Sequence, residues 1–269
     1  MLRRASAAAA GLGAVTAWQW HSWRIHMEDA AVEKHLPPSE GSPDAAQHTR
    51  VVRLPRLLSR EEIESVHALH ERLRPDLGTA GRTVGNQSAA YRQGKWETSY
   101  LSTDGVFARE MPELRARLLE AVRSVDEQHW RMMRRATEAV APRCVEYHVV
   151  EAGGSLPFIH HHDGGSLITI DVMLSQPDEF QGGEFQTLEA DGTMASYDFE
   201  QGDALVFVSH KPHCVQPVLA GRRSVLVMEV WEGLERTCAH RCELHWASCG
   251  HSARTSFWRR ALSDLASDL

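Results

Sequence analysis

The side chains with the most evident chemical potential are His161, His162 and Asp163, followed fifty positions after the aspartate by His213. On a strand, side chains two apart share a face, so His161 and Asp163 present an imidazole and a carboxylate together. With His213 they supply two imidazoles and one carboxylate, leaving half of an octahedron open. That set suits non-haem Fe(II) rather than structural zinc, which takes four protein ligands, usually including cysteine. Alone, His-x-Asp is a weak signal, because three histidines beside an aspartate also make a polar loop with incidental metal affinity. Support comes from His213-x-x-x-Pro217-Val218-x-x-Gly221-x-Arg223-x-x-Leu226. After a turn at Gly221, the Arg223 guanidinium could enter the same cavity from a neighbouring strand, and its fork of donors suits a carboxylate held bidentately.

Neighbouring candidates fit less well. In an extended segment His160 and His162 face away from His161 and Asp163. His210 lacks the downstream Pro-Val-x-x-Gly-x-Arg spacing, and Arg222 points opposite to Arg223. Gly182 and Gly183 serve a tight turn or a close backbone approach, with Glu184 solvated beside them.

These residues need a scaffold, and the second half of the chain has the texture of one. From Cys144 onward, short apolar runs alternate with glycine-containing turns: Val145 to Val150, Ser166 to Leu174, Gly183 to Leu188, Ala204 to Val208 and Ser224 to Trp231. Strands at this spacing, without helical periods between them, indicate an antiparallel sandwich or barrel. Upstream, a short strand at Arg50 to Leu54 precedes Ser59-x-x-Glu62, a helix-opening pair. Ile63, Val66, Leu69 and Leu73 continue at helical spacing. A second helix follows Pro112, with Leu114, Leu118, Val122, Val125, His129 and Met132 along one stripe; His129 there is a core or boundary histidine rather than a ligand. The expected fold class is mostly β, with N-terminal helices packed on one sheet. Arg82 to Tyr100 reads as loops near the site.

Composition bounds the function. The 269 residues are 42% hydrophobic and 24% charged, which fits a soluble globular chain and excludes a multispanning membrane protein or a disordered one. A formal charge of -7 argues against binding nucleic acid through a broad basic surface. At this length folding buries about three-quarters of the extended chain's surface.

At this point the sequence resembles the prolyl 4-hydroxylase-like branch of the Fe(II)- and 2-oxoglutarate-dependent dioxygenases. The matching residues are His161-x-Asp163, Thr169 in the following strand, Phe180-x-Gly182-Gly183-Glu184, Gly202-Asp203-Ala204-Leu205-Val206-Phe207 and the His213 to Arg223 block, with a typical Leu58-Ser-Arg-Glu-Glu start. The likeness covers roughly Val51 to Trp231. It implies a double-stranded β-helix (jelly roll) in which His161, Asp163 and His213 hold Fe(II), and Arg223 pairs with the distal carboxylate of 2-oxoglutarate. Collagen prolyl hydroxylases usually carry lysine at that anchor. Tyr147 and Thr169 resemble positions that line the 2-oxoglutarate pocket, although either also suits core packing. The implied reaction consumes O2, releases succinate and CO2, and hydroxylates a peptidyl residue, above all proline, with L-ascorbate as the rescuing reductant. A carboxylate at Asp163 favours hydroxylation, since related halogenases lack it. The alternatives are a hydroxylase of a small metabolite or another side chain, and a catalytically silent metal-binding jelly roll.

Around residues 49–233, the expected dioxygenase domain, lie segments of other character. Residues 1–27 contain no acidic group, open with Arg3 and Arg4 and carry an Ala/Gly-rich run. They read as a secretory signal or membrane anchor directing the chain to the endoplasmic reticulum, or equally as an organelle transit peptide into the mitochondrion. Residues 28–48, with Pro37, Pro38 and Pro43, form a linker, and Asn86-Gln87-Ser88 is a glycosylation acceptor pattern if the chain is secreted. In the tail, 234–269, Cys238, His240, Cys242, His245, Cys249 and His251 could provide four zinc ligands, at a spacing that matches no common finger. A disulfide and a capping segment with free thiols are the other readings. Five cysteines in all are too few for a disulfide scaffold.

Overall fold

The computed structural model describes residues 46–77, 82–84, 95–136, 139–242 and 249. The 1–27 segment, most of the 28–48 linker, the Asn86 pattern, His245 and His251 lie outside the described residues. In chain order come β1 (Val52–Leu54), α1 (Arg60–Leu77), β2 (Arg82–Val84), β3 (Trp96–Tyr100), α2 (Val106–Glu110) and α3 (Pro112–His129). The strands β4 (Val140–Glu151), β5 (Leu156–His161), β6 (Ile168–Met173), β7 (Phe180–Gly182), β8 (Phe185–Leu188), β9 (Met194–Ser196), β10 (Ala204–Val208), β11 (His213–Val215) and β12 (Val218–Glu232) follow. Among the described residues, no helix is long and apolar enough to cross a membrane.

Local chemistry explains both long helices. The Ser59 hydroxyl accepts the Glu62 N–H at 3.3 Å, while the Glu62 carboxylate accepts the Ser59 N–H at 2.9 Å, closing the start of α1 reciprocally. Pro112 opens α3, where its missing N–H costs nothing. The buried Asp126 carboxylate ends α3 by accepting the N–H groups of Met132 at 2.8 Å and Met133 at 2.9 Å. The helix stops at His129, which is exposed and not the core or boundary histidine expected, and Met132 is buried just past the helix end. Residues read as loops at Arg82 to Tyr100 include an antiparallel pair, β2 with β3, which extends the large sheet through β4. Their short, polar sequences carry little strand signal.

Two antiparallel sheets form the jelly roll. The larger runs β1-β10-β6-β12-β4-β3-β2, with β7 also paired to β12, and the smaller runs β5-β11-β8-β9. Period-2 alternation divides the larger sheet's side chains between two cores. Val145, Tyr147, Ile170, Val206, Leu226 and Met228 face outward against Ile63, Val66, Leu118 and Val122 of the helices. Val150, Leu205 and Phe207 face inward and pack with Leu156, Phe185 and Val215 of the smaller sheet. Helices therefore close one face and leave the space between the sheets for the inward-pointing polar side chains.

Candidate metal centre and active-site cavity

Strand register brings the imidazoles together. His213 on β11 pairs directly with His161 at the end of β5, and their rings meet edge to face with centroids 4.9 Å apart. Asp163 follows after one residue, fixed by its N–H donating to the Ser209 carbonyl at 2.7 Å. The ligand atoms of His161, Asp163 and His213 all lie within 4.8 Å of one another. The His213 Nδ1 is 2.9 Å from the Lys211 carbonyl, and since a carbonyl only accepts, Nδ1 carries the proton and Nε2 is left as the electron-pair donor. Phe185 stacks on the His213 ring and Phe207 meets it edge-on, so the ring has no freedom to turn. Burial pushes the His161 imidazole down to about 4, against the hydrogen bond with Asp163. It is thus neutral, the form that binds metal. For Asp163, burial raises the carboxyl, but His213, His161 and Arg241 outweigh it and hold the group well below the usual carboxylate range.

A cavity of about 180 Å³ opens beside this triad, lined among others by His161, Asp163, His213, Arg223, Tyr100 and Trp96. Arg223 is 2% exposed, and its Nε has no hydrogen-bond partner within the protein. Burial lowers the guanidinium to about 10, opposed by Asp171, so it stays charged at neutral pH. Burial and the Asp163 charge, against Arg223, push the neighbouring Asp171 carboxyl well above its usual range. A buried cation with an unused donor, three positions' worth of open metal coordination and a small cavity between them fit a ferrous ion with a dicarboxylate. Gly183 makes this possible. It sits at φ +70°, and a Cβ there would meet the Arg223 Cδ at 2.9 Å, so the arginine occupies the space where a side chain would be.

Two expected pocket residues lie elsewhere. Tyr147 is on the helix side of the larger sheet: its hydroxyl meets His67 Nδ1 at 2.6 Å and its ring stacks on His70 at 3.9 Å. The reason is parity, since Glu146 and His148 line the cavity and the residue between them must face away. Thr169 does face inward but beneath the triad. Its hydroxyl donates to Asp163 Oδ2 at 2.8 Å and stands 2.9 Å from the Ser209 hydroxyl, which must then be the donor to Thr169. Thr169 therefore orients the aspartate instead of lining the pocket. His160 is exposed, His210 is buried against the His162 ring and outside the cluster of ligand atoms, and Arg222 is exposed while Arg223 is buried, as read from the sequence.

The cavity also holds charges that the motif reading missed. Glu229 accepts from the Ser166 hydroxyl at 2.5 Å and from the Arg241 guanidinium at 2.7 Å. His148 accepts the Trp96 indole N–H on Nδ1 at 2.9 Å, which leaves the imidazole's own N–H on Nε2, 2.9 Å from Glu146. The available signal was parity: Glu229 is an even number of positions from Arg223, and His148 from Glu146, within runs otherwise apolar.

No protein-family model matches the chain, and no curated protein matches it. Solved structures do. An oxidoreductase of the 2OG-Fe(II) oxygenase family from Burkholderia pseudomallei is similar with a TM-score of 0.51 at 16% identity, over 71% of this chain and 86% of that one. A Pseudomonas putida prolyl-4-hydroxylase is similar with a TM-score of 0.51 at 16% identity, over 77% of this chain and 100% of that one. The fold is that of the 2-oxoglutarate/Fe(II) oxygenases.

Proposed function

We propose that this protein is an Fe(II)- and 2-oxoglutarate-dependent oxygenase that hydroxylates a peptidyl residue, proline foremost. The observation that carries the oxygenase reading is one cavity lined both by the His161, Asp163 and His213 triad and by the buried Arg223. When bound, ferrous iron with 2-oxoglutarate supplies the reduction of O2, decarboxylation to succinate and CO2, and transfer of one oxygen atom to a C–H bond. The chain's own residues do the rest. His161, Asp163 and His213 would hold the metal; Arg223 would orient the cosubstrate through its distal carboxylate; Thr169 holds Asp163 Oδ2; Trp96, Leu156 and Val225 line the cavity with apolar surface against bulk water.

A peptide substrate is supported by the rim. Between its pairings with Val215 and His213, β5 holds three residues more than β11 needs, and this bulge at the edge of the smaller sheet runs directly into His161. Phe158 and Ile159 within this bulge are 53% and 39% exposed, where an extended chain could find both apolar contact and an open strand edge. In the same proposal L-ascorbate rescues oxidised iron, and residues 1–27 direct the chain to the endoplasmic reticulum. The test is succinate formation by the purified full chain with Fe(II) and 2-oxoglutarate, followed by mass spectrometry of proline-containing peptides for gain of one oxygen. Coupled succinate and peptide oxidation, both lost in Asp163→Ala, is the expected result. Succinate with oxidation only of small molecules overturns the peptide assignment, and no iron-dependent succinate overturns the enzyme.

A further inference from the structure

After β12 the chain runs without helix or strand from 234 to 242, yet Cys238 is buried at 3% and Cys242 at 0% exposure. Into this segment the structure brings Cys249. The Sγ atoms of Cys238, Cys242 and Cys249 and a ring nitrogen of His240 lie within 4.8 Å of one another, and none of the described cysteines is in a disulfide. We infer that Cys238, His240, Cys242 and Cys249 form a structural zinc site, separate from the iron centre, that ties the tail to the jelly roll.

The dimensions fit. With Zn–S near 2.3 Å and Zn–N near 2.0–2.1 Å, a tetrahedron has a sulfur-to-nitrogen edge of about 3.6 Å. Cys249 Sγ stands 3.6 Å from His240 Nε2. Four protein ligands close the coordination sphere, as a structural site requires, and three soft thiolates select zinc where the imidazole and carboxylate triad of the cavity selects iron. The surroundings hold the ligands in place. Arg143 Nε donates to the Cys242 carbonyl at 2.6 Å, and Asp104 N–H donates to the Thr237 carbonyl at 3.0 Å. Arg241, between two ligands, reaches back to Glu229 and to the Gly164 carbonyl at 3.0 Å. Zinc at this point would therefore position Arg241 in the wall of the catalytic cavity.

The full chain, produced in zinc-containing medium and treated with a chelator that strips the triad, should retain about one zinc per chain, released only by a thiol-blocking mercurial. Cys238→Ser and Cys249→Ser should each lose that zinc, and His161→Ala should keep it. If the serine variants fail to fold, the unaltered chain still decides. Reconstituted with Co(II), it should show a near-ultraviolet thiolate-to-cobalt charge-transfer band and the intense visible bands of tetrahedral cobalt. Zinc lost with His161→Ala but kept in the serine variants, cobalt spectra without thiolate charge transfer, or a Cys238–Cys242 disulfide in protein purified with zinc would each overturn the assignment.

Discussion

Thr169→Val separates two roles for one hydroxyl. In the structure this group donates to Asp163 Oδ2 at 2.8 Å and is partnered by Ser209 at 2.9 Å, both within a fully buried cluster. Valine keeps the shape and deletes both bonds. A hydrogen bond to a charged group is worth about 1.5–3 kcal/mol, and each 1.4 kcal/mol is tenfold in an equilibrium constant. If that loss falls on the orientation of the metal-binding carboxylate, Fe(II) affinity drops about 10–100-fold, the range found for groups that support metal ligands. Anaerobic titration of the metal-free protein with Fe(II), or with Mn(II) followed by its paramagnetic resonance, measures this directly. Succinate formation at saturating iron then gives the KM for 2-oxoglutarate, which should stay within about twofold because the hydroxyl does not reach the cavity. Thr169→Ser should restore metal binding. The reverse outcome, unchanged metal affinity with a KM raised tenfold or more, would show that Thr169 touches the cosubstrate and refute the geometry.

At the cosubstrate anchor, Arg223→Lys keeps the charge but loses the fork, and should raise the KM for 2-oxoglutarate about tenfold; Arg223→Gln, which leaves a buried carboxylate uncompensated at about 3–5 kcal/mol, should raise it a hundredfold or more. Steady-state succinate kinetics check both, and unchanged KM in Arg223→Gln would remove the anchor from the cavity. Gly183→Ala drives a methyl against the Arg223 Cδ at a positive φ, so it should raise the same KM while leaving Fe(II) affinity intact; a fall in metal affinity alone would contradict it. Asp171 has a raised folded-state value, so from about pH 4 upward the unfolded chain releases a proton that the fold retains, and its contribution to stability falls as pH rises. Asp171→Asn should match the parent near pH 4 and become progressively more stable above it, read by denaturant unfolding at a series of pH values. A constant offset at every pH would show that Asp171 is ionised in the fold.

The sequence made the barrel legible because burial on both faces writes an apolar run in Ala204–Val208, and because Ile168–Met173 alternates apolar residues with Thr169 and Asp171. The triad was legible because its spacing survives any loop between the parts. What stayed hidden follows from the same physics. β5 begins Leu-Pro-Phe-Ile and is bulged, with four consecutive exposed residues, so no alternation marks it. The facing of Tyr147 depends on register, which a one-residue slip inverts, and a resemblance by position cannot supply it. Thr169 and Ser209 carry hydroxyls like dozens of others in the chain, and only their convergence on Asp163 distinguishes them. Arg241 belongs to a segment without periodicity, so nothing local reports that it joins the Glu229 wall.

The direct pairing of His161 with His213 also sets when the protein can mature. These two donors are separated by more than fifty residues and become neighbours only once β5 has zipped onto β11, while the anchoring arginine is synthesised later still. Contacts of such long sequence separation must first pay the entropy of closing the loop between them. A nascent chain carries at most the local His161 and Asp163 pair, and the three-donor set of the proposed iron site is complete only in chains in which β5 has paired with β11.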